Sequence, residues 1–336
     1  MDRRAFLQDS IGVAAAAGLP TPPARTAPFL PGGAVGTAHV VELREGLRSL
    51  YHLDDAYGGG DVRRLARRHL SRVQRVINTA QYPETIGRQL QLLAGETAEH
   101  CGWLHYDADQ QDEARRYWGE ALTVATVLED SSLAILVLAS LSMQASYEGR
   151  PREGLNLARA AQYRAARYGS PVLQSLLASR EARALSLMQD ATAARRQLAL
   201  SMRLVEDPTR GRPSPEWAAF HGQAELDYAQ GLLYTETGQH GAAVQFLGAA
   251  LAHQDRTYGR NRALYRLTLA RSLVHAGEVD EAAKHAVESL EHLEEVESGR
   301  VTRRLGEVAT LLRDVDAASA RDAADQLTEY TESRAA

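Results

Sequence analysis

The sequence predicts an all-α protein made of helical hairpins that stack into a solenoid. Apolar residues recur at helical spacing from residue 38 onward, small residues recur at intervals near 40, and glycine or proline marks the expected turns. A hydrophobic content of 44% and a charged content of 24% agree with a folded chain. A length of 336 residues accommodates one elongated repeat domain and a tail.

The clearest copy of the repeat lies in residues 231–250. Its small and large residues follow the tetratricopeptide pattern, with Gly231, Tyr234, Gly238, Ala243, Leu247 and Ala250. In this pattern the small residues allow two antiparallel helices to approach closely, and the large residues fill the space between them.

Five copies of the pattern align on one small residue each. These residues stand at positions 114, 154, 194, 243 and 282, so the intervals are 40, 40, 49 and 39 residues. The longest interval contains a polar, proline-rich loop at 207–215. Because the interval exceeds the standard period of about 34 residues, each helix is expected to be about one turn longer. The sequence therefore predicts a tetratricopeptide-like solenoid of about five repeats plus flanking helices.

Glycine or proline stands at several predicted helix ends: Pro83, 149–151, 169–171, Gly238 and Gly277. Before the first repeat, residues 62–76 form an amphipathic helix with Asp61 as its expected N-cap. After the fifth, residues 301–313 and 317–330 form a polar helix pair that is expected to cap the C-terminal end. The repeat domain is predicted to span residues 38–332.

The first 37 residues differ in composition from the rest. Residues 2–7 match the core of a twin-arginine export signal, and a short apolar stretch follows at 11–19. Five of the eleven prolines lie between residues 20 and 31. The polar residues 8–10 precede the apolar stretch, and no clear cleavage site follows it. We therefore expect residues 1–37 to be a flexible linker of a cytoplasmic protein, with export as the alternative.

Composition argues against several functional classes. The longest apolar stretch, residues 133–143, is shorter than the roughly 18 residues that a membrane-spanning helix needs. A single cysteine, Cys101, excludes an internal disulfide and a thiolate zinc cluster. The net charge of −5 argues against a protein that grips a phosphate backbone, and no P-loop motif is present. Six arginines within residues 63–75 are expected to form a solvated helix face.

In tetratricopeptide arrays the first helix of each repeat lines a concave groove. That register gives the candidate groove residues Glu96, Glu99, Trp103, Tyr106, Asp107, Met143, Tyr147, Ser179, Arg183, Glu225, Tyr228, Leu232 and Arg271. Aromatic surface combined with carboxylates and guanidinium groups suits a peptide or a drug-sized organic molecule. We expect such a ligand in the groove, with direct nucleic-acid binding and membrane contact disfavoured. A protein partner and a homodimer remain open.

The sequence offers weak candidates for chemistry. His100 and Cys101 point about 100° apart on a helix, and Cys101 occupies a close-packing position, so a buried and unreactive thiol is expected. One helix carries a row of four potential metal ligands, Glu281, His285, Glu288 and His292. On an outer helix such a row is usually solvated. The sequence therefore predicts no cofactor, no metal and no catalytic residue, and it favours a protein that is not an enzyme.

Several short segments of the sequence together resemble those of a known protein family. They are LDDAYGG at 53–59, AGETAE at 94–99, GWLxYDA at 102–108, ARRY at 114–117, GRPRE at 149–153, Trp217 to AEL at 224–226, and RALY at 262–265. Together they resemble the tetratricopeptide region of a large group of bacterial helix-turn-helix transcriptional regulators from GC-rich genomes. The resemblance covers residues 38–315 and implies a repeat region that senses a small molecule or peptide, or mediates assembly.

In those regulators a DNA-binding domain usually precedes the repeats, and a segment like residues 3–7 often follows it as a linker. The resemblance therefore favours a linker over an export signal. This sequence begins at the linker, so the DNA-reading domain is expected to be absent. Residues 222–223, where the regulators tend to carry an acidic pair, and the dipeptide at 100–101 depart from the pattern.

The leading hypothesis is a tetratricopeptide sensor or scaffold that binds a ligand or partner in its concave groove. The alternative is a regulator-derived enzyme or ligand-carrying protein of a biosynthetic pathway that uses the same groove. Its acid, base or orienting groups would be Glu96, Glu99, His100, Tyr106 and Arg183.

Overall fold

The computed structural model describes residues 33–206, 211–255, 258–293 and 296–335. These residues form fourteen α-helices and two short 3₁₀-helices, with no strand among them. The all-α prediction is confirmed. Of the predicted N-terminal segment, only residues 33–37 belong to the described part.

The helices follow one another through mostly short turns. In chain order they are α1 (Thr37–Tyr57), α2 (Gly59–Thr79), α3 (Glu84–Asp107), α4 (Gln111–Val127), α5 (Ser131–Tyr147), α6 (Pro151–Tyr168), α7 (Pro171–Leu187), α8 (Ala191–Val205), α9 (Gln223–Glu236), α10 (His240–His253), α11 (Gly259–Ala276), α12 (Val279–Glu288), α13 (Gly299–Arg313) and α14 (Ala318–Ala335). Among the described helices, none has the length and apolar character that crossing a bilayer requires.

Consecutive helices pack as hairpins: α3 with α4, α5 with α6, α7 with α8, α9 with α10, and α11 with α12. Glycines with positive φ occupy four turns, at Gly149, Gly169, Gly238 and Gly277. Glycine adopts this left-handed conformation without the strain that a Cβ atom causes. Pro151 and Pro171 occupy the first turns of α6 and α7, where a missing N–H costs nothing. The predicted turns are therefore present.

The small residues of the repeating pattern lie buried between helices. Those with no exposed surface are Ala114, Ala194, Ala243 and Ala282. A Cβ atom on Gly102 would lie 2.6 Å from the indole of Trp118, and one on Gly231 would lie 2.5 Å from the side chain of Leu247. Both contacts join residues of the pattern across a hairpin, so its glycines are required for the close approach of the helices.

The first helices of the hairpins form an inner layer. Helices α3, α5, α7, α9 and α11 contact one another in succession, and α13 contacts both α11 and α3. The inner helices therefore close into a ring. The predicted C-terminal helix pair is present as α13 and α14, but its expected role needs correction. Helix α13 returns to the first hairpin, so the pair does more than cap one end.

Backbone hydrogen bonds join the two ends of the ring. The amide of Gly59 donates to the carbonyl of Glu297 at 3.0 Å, and the amide of Glu297 donates to the carbonyl of Tyr57 at 3.0 Å. Gly58 has φ 74°, and a Cβ atom there would lie 2.6 Å from the Glu297 carbonyl oxygen. Helix α2 consequently begins at Gly59, before the expected cap Asp61.

The segment between α8 and α9, which contains the inserted loop, packs back onto the inner helices. Its residues 207–210 lie outside the described part. The indole N–H of Trp217 donates to the Ser132 hydroxyl at 3.2 Å, and the His221 Nε2 atom lies 2.8 Å from the Ser175 hydroxyl. Burial and the charge of Arg180 lower the pKa of His221 to about 3. This histidine is therefore a neutral packing residue.

Candidate functional site

Four charged residues form a buried cluster where the ring closes. Asp54 of α1 and Asp107 of α3 meet Arg260 of α11 and Arg300 of α13, and we call these four residues the ionic cluster. Arg260 lies 2.8 Å from Asp54 and 3.2 Å from Asp107. Arg300 lies 2.8 Å from Asp107, which has no exposed surface. The cluster ties the first hairpin to the C-terminal helices.

The charges of the ionic cluster balance one another. Burial alone would raise the pKa of Asp107, but Arg260 and Arg300 hold it below its ordinary value. Burial opposes the charge of Arg260 as well, yet Asp107 and Asp54 raise the pKa of that guanidinium. The hydroxyl of Ser298 adds a hydrogen bond to Asp107 at 2.9 Å. A buried ion pair with such additional hydrogen bonds offsets much of its desolvation cost.

Aromatic side chains surround the ionic cluster. The indole N–H of Trp103 donates to Asp54 at 2.8 Å, and the guanidinium groups of Arg260 and Arg300 lie 5.4 and 5.3 Å from its ring centre. Arg300 also lies 4.5 Å from the ring centre of Tyr106. These distances fit cation–π contacts. Tyr106 and Asp107 are buried here, so the prediction that they line the concave groove is corrected, whereas Trp103 is half-buried and its assignment to the groove stays a prediction.

The two predicted groove glutamates of α3 also lie elsewhere. Glu96 pairs with Arg44 of α1 at 2.9 Å. Glu99 is buried and accepts a hydrogen bond from Ser140 of α5 at 3.2 Å. Burial raises the pKa of Glu99 to about 7. Because α1 and α5 pack over these positions, the glutamates belong to contacts between helices and are corrected as groove residues.

The residues suggested for acid–base chemistry do not converge. His100 is buried, with its ring centre 4.4 Å from that of Tyr51, and burial lowers its pKa to about 4. Arg183 pairs with Glu236 of α9, away from the contact between α3 and α1. Cys101 is fully buried and burial raises its pKa to about 12. The predicted buried, unreactive thiol is confirmed.

The remaining predicted residues occupy the inner helices. Met143 packs against the apolar core, and the Tyr147 hydroxyl donates to Asp109 at 3.2 Å. Glu225 accepts a hydrogen bond from Tyr265. The rings of Tyr228 and Tyr265 stack with centres 4.2 Å apart. The other three are half-buried on their helices, namely Ser179, Leu232 and Arg271.

Four half-buried arginines project from three inner helices. They are Arg180 and Arg183 of α7, Arg271 of α11 and Arg304 of α13, and we call them the arginine face. Burial, together with the positive charges of Arg304 and Arg271, lowers the pKa of Arg183 to about 10. Burial and the charge of Arg304 lower the pKa of Arg271 too. These three guanidinium groups therefore lie near enough to one another for their like charges to interact.

The arginine face remains open to solvent. The side chains of Arg183 and Arg304 are 32% and 21% exposed, compared with 9% for Arg260 in the ionic cluster. The Tyr228 side chain contributes to the electrostatic surroundings of both Arg183 and Arg271. An aromatic ring among accessible guanidinium groups can recognise an anion that also has an organic part.

The arginine face is incompletely neutralised. Arg183 pairs with Glu236, and Arg304 lies 3.3 Å from Glu307, which also pairs with Arg303. Within the described residues, neither Arg180 nor Arg271 has a carboxylate within 4.0 Å. The Nε atoms of both side chains are buried without a hydrogen-bond partner there. Buried donors of this kind carry an energetic cost that a ligand could remove.

Two arginines of the face had not been singled out from the sequence. Arg180 lies three residues before Arg183, which places both on the same side of α7. That spacing was a usable signal. Arg304 belongs to a helix that was expected to be a terminal cap, so no pattern in the sequence placed it near the others.

The candidate metal-binding side chains on α12 contact positively charged side chains. Arg266 of α11 contacts Glu288 and lies 3.1 Å from the Nδ1 atom of His285. Glu281 pairs with Lys284 at 3.0 Å. In the described part of the chain, no group of three acidic, histidine or cysteine side chains is arranged to hold a metal ion. The side chain of His292 lies outside that part.

The stripe of arginines on α2 faces solvent. Arg64 pairs with Asp61 at 2.5 Å, and Arg72 pairs with Glu42 at 2.7 Å. All four residues are exposed. The expectation of a solvated helix face is met at these positions, and such exposed pairs contribute little to stability.

A shallow cleft of about 380 Å³ lies beside the N-terminus of α9. Phe220, Glu225, His253 and Tyr258 are among the residues that line it. His253 is paired with Asp227 at 2.7 Å. Residues 256–257 next to it are outside the described part, so we assign no site to this cleft.

Comparisons with known proteins were made against families, curated sequences and solved structures. No family model matches the chain, and no curated protein matches it significantly. Among solved structures, the chain is similar to BtubC (BKLC) from P. vanneervenii, with 14% sequence identity. The match covers 74% of this chain and 90% of that chain, with a TM-score of 0.47. No functional conclusion follows from so distant a likeness.

Proposed function

We propose that the protein is a tetratricopeptide-like sensor or scaffold, related to the repeat regions of transcriptional regulators, that binds a ligand on its inner face. Support for the repeat assignment comes from the buried small residues at intervals near 40 and from their packing partners. The Gly102–Trp118 and Gly231–Leu247 contacts occupy equivalent places in two hairpins. We place this sensor in the cytoplasm, with a small molecule or peptide as its ligand.

The observation that carries this proposal is the arginine face. Arg183 and Arg271, both derived from the repeat register, are close enough to Arg304 and Tyr228 for these groups to influence their pKa values. The side chains belong to α7, α9, α11 and α13, and we propose that they form one binding surface. The first hairpin, by contrast, contributes its aromatic residues to the closure of the ring. The proposed binding surface is accordingly smaller than the one expected from sequence and lies on the later hairpins.

A ligand on this face would act by population shift. Contacts to α7, α11 and α13 at once stabilise the arrangement in which these three helices are close together. A ligand that binds this arrangement better than a looser one shifts the population toward it. The outer surface presented to a protein partner then changes with ligand occupancy, which is how a helical sensor without a catalytic site transmits a signal.

Native and denaturing mass spectrometry of protein purified from its own host tests this proposal. We expect the native mass to exceed that of the bare chain or its dimer by a small molecule or peptide that denaturation releases. Variants Arg183→Ala and Arg271→Ala should purify without it, whereas Arg68→Ala on the exposed face of α2 should retain it. Retention that is equal in all four proteins would rule out the inner face as the binding surface.

A further inference from the structure

We propose that the protein associates with itself through its outer surface, and that a row of arginines on α6 of one copy binds a row of carboxylates on α14 of a second copy. This inference concerns a partner of the outer surface and goes beyond the ligand proposed for the inner face. It depends on the position of each row on its helix, on the exposure of its side chains, and on the opposite charges beside them.

The basic row follows one side of α6. Arg152, Arg159 and Arg167 are separated by seven and eight residues, which places them within a sector of about 80° around the helix axis and over a length of about 22 Å. Tyr163 lies in the same sector and is 68% exposed. The buried residues of α6 lie on the opposite side, where the helix packs against α5 and α7. The three arginines are exposed, so the row faces solvent.

Few carboxylates balance the basic row. Helix α6 contains four arginines and a single acidic residue, Glu153, which pairs with two arginines outside the helix. Among the described residues, Arg152 and Arg167 have no carboxylate within 4.0 Å. Arg159 contacts the buried Glu181 at 2.9 Å, but its side chain is still 57% exposed. The row is therefore positively charged and accessible to a partner.

A complementary acidic row follows α14. Its four carboxylates are spaced by three, four and three residues, so they share one side of the helix over about 15 Å. They are Asp322, Asp325, Glu329 and Glu332. All four are exposed, and in the part of the chain that the structure describes none has a cation within 4.0 Å. The arginines of α14 are engaged elsewhere, because Arg321 pairs with Asp316 at 2.9 Å and Arg334 donates to a backbone carbonyl.

A second copy of the chain is the partner that these rows favour. The acidic row has the opposite charge and is shorter than the basic row, so it fits along the basic row over its full length. Both rows are exposed in the single chain, so they meet only between copies. A nucleic acid is disfavoured, because it would need a longer basic track and because the net charge of the chain is −5.

The contact is expected to be weak and sensitive to salt. Individual exposed ion pairs contribute little, and dissolved salt screens them. The ring of Tyr163 adds apolar area that the contact removes from water. Because the two rows belong to different surfaces, each copy keeps one free row after the first contact. Association therefore either closes reciprocally into a dimer or continues to larger species.

Sedimentation of the full chain tests the proposal over protein concentrations from about 1 µM to about 0.5 mM. Sodium chloride is set at about 0.01 M and at about 1 M, between which the screening length falls from about 30 Å to about 3 Å. We expect the average mass to rise with concentration to a dimer or more at low salt, and to return to that of the monomer at high salt. A parent that stays monomeric at low salt would overturn the inference, and so would association that strengthens with salt.

Neutral variants of the two rows locate the contact. Arg152→Gln with Arg167→Gln removes the unpaired charges of α6, and Asp325→Asn with Glu329→Gln removes half of the acidic row. Each double variant alone should stay monomeric. An equimolar mixture should recover a dimer, because the intact acidic row of the first variant meets the intact basic row of the second. A contact of α6 with α6, or of α14 with α14, would instead leave one of the two variants able to associate alone.

The double variant Arg68→Gln with Arg75→Gln on α2 is the matched control. It removes two exposed arginines that have no carboxylate within 4.0 Å in the described ranges. It should associate as the parent does, and circular dichroism and the unfolding midpoint verify that every variant folds. Equal loss of association in the control and in the α6 variant would overturn the location of the contact.

Other partners of the basic row are distinguished with two defined probes, a polyglutamate peptide and a single-stranded oligonucleotide. The parent should show no binding of either probe that depends on Arg152 and Arg167 and exceeds its self-association. A parent that binds one of the probes through these arginines, without associating with itself, would replace the second copy by another acidic partner and overturn the proposal.

Discussion

Among the arginines of α11 and α13, one on each helix lies in the ionic cluster and one on each lies on the arginine face, with very different surroundings. Arg260 and Arg300 are 9% and 12% exposed and meet buried carboxylates at 2.8 to 3.2 Å. Arg271, three turns further along α11, has no carboxylate within 4.0 Å in the described residues, and Arg304, one turn further along α13, shares the exposed Glu307. The same residue type on the same two helices is thus neutralised in one place and only partly neutralised in the other.

The two regions neutralise their charges to different degrees. Where the ring closes, both guanidinium groups pair with Asp107, and Arg260 also pairs with Asp54, so removal of any one partner would leave a buried charge. On the arginine face, the guanidinium groups repel one another and keep some solvent access. Such an arrangement is unfavourable for folding, and the proposed ligand binding would offset part of its cost. The predictions below test whether the two regions respond oppositely to loss of charge.

The largest effect is expected for Asp107→Asn in the ionic cluster. The substitution removes the negative charge that Arg260 and Arg300 share, so two guanidinium groups stay buried with only Asp54 to neutralise them. We expect the free energy of unfolding to fall by about 3 to 5 kcal/mol. Urea denaturation followed by circular dichroism measures this change.

Asp109→Asn is the matched control for that substitution. Asp109 lies two residues beyond the end of α3, is 29% exposed, and has φ 59°. Asparagine tolerates this left-handed conformation well. We expect a change below about 1 kcal/mol. Similar losses for the two variants would show that the ionic cluster contributes no more than a surface carboxylate.

Much of the fold was predictable because its signals are local. The contacts Gly102–Trp118 and Gly231–Leu247 join residues 16 positions apart in the sequence, and a period of repeated small residues identifies them. Glycines 149 and 169 lie at the ends of helices, where their conformation depends only on the adjoining turn. Helix boundaries and hairpin partners follow from such signals without knowledge of the complete molecule.

The closure of the ring could not be predicted in the same way. Asp107 and Arg300 are 193 positions apart, and their meeting depends on the rotation accumulated over every intervening hairpin. Small differences in each hairpin decide whether a helical array stays open or meets itself. The register therefore placed Tyr106 and Asp107 on an inner helix, but it could not show that α13 would cover them.

The arginine face was only partly predictable from the sequence. Arg183 and Arg271 were identified because the register of the repeats assigns the inward side of each first helix. Arg180 shares that side of α7 and was detectable from its spacing. Arg304 was not, because its nearness to Arg183 and Arg271 is a consequence of the closed ring. The partial neutralisation of the face likewise appears only when distances between helices are known.

A smaller, pH-dependent effect is expected for Glu99→Gln. Asp107 and Glu99 are both buried on α3, but the guanidinium groups lower the pKa of Asp107, whereas burial raises that of Glu99 to about 7 from an ordinary 4.5. The folded state therefore holds the Glu99 proton more tightly than the unfolded state. Stability from this group is full below pH 4.5 and declines as the pH rises through 7.

Glutamine cannot lose that proton and can still accept the hydrogen bond from Ser140. The variant should consequently gain about 3 kcal/mol relative to the parent between pH 5 and pH 8. His100, whose lowered pKa gives the opposite slope, is present in both proteins and cancels in the comparison. Denaturant titrations at several pH values provide the measurement. A difference between parent and variant that does not change with pH would contradict the raised pKa of the buried Glu99.

The smallest effect is expected for Arg271→Gln, and its sign is the opposite of that for Asp107→Asn. Removal of one charge from the arginine face relieves repulsion with Arg304 and Arg183, so the free energy of unfolding should rise by about 0.5 to 1 kcal/mol at low salt. The gain should shrink as salt screens the remaining charges. Arg159→Gln is the control, because Arg159 pairs with the buried Glu181 at 2.9 Å. That variant should lose stability, and a loss of the same size in Arg271→Gln would show that the arginine face contributes to folding after all.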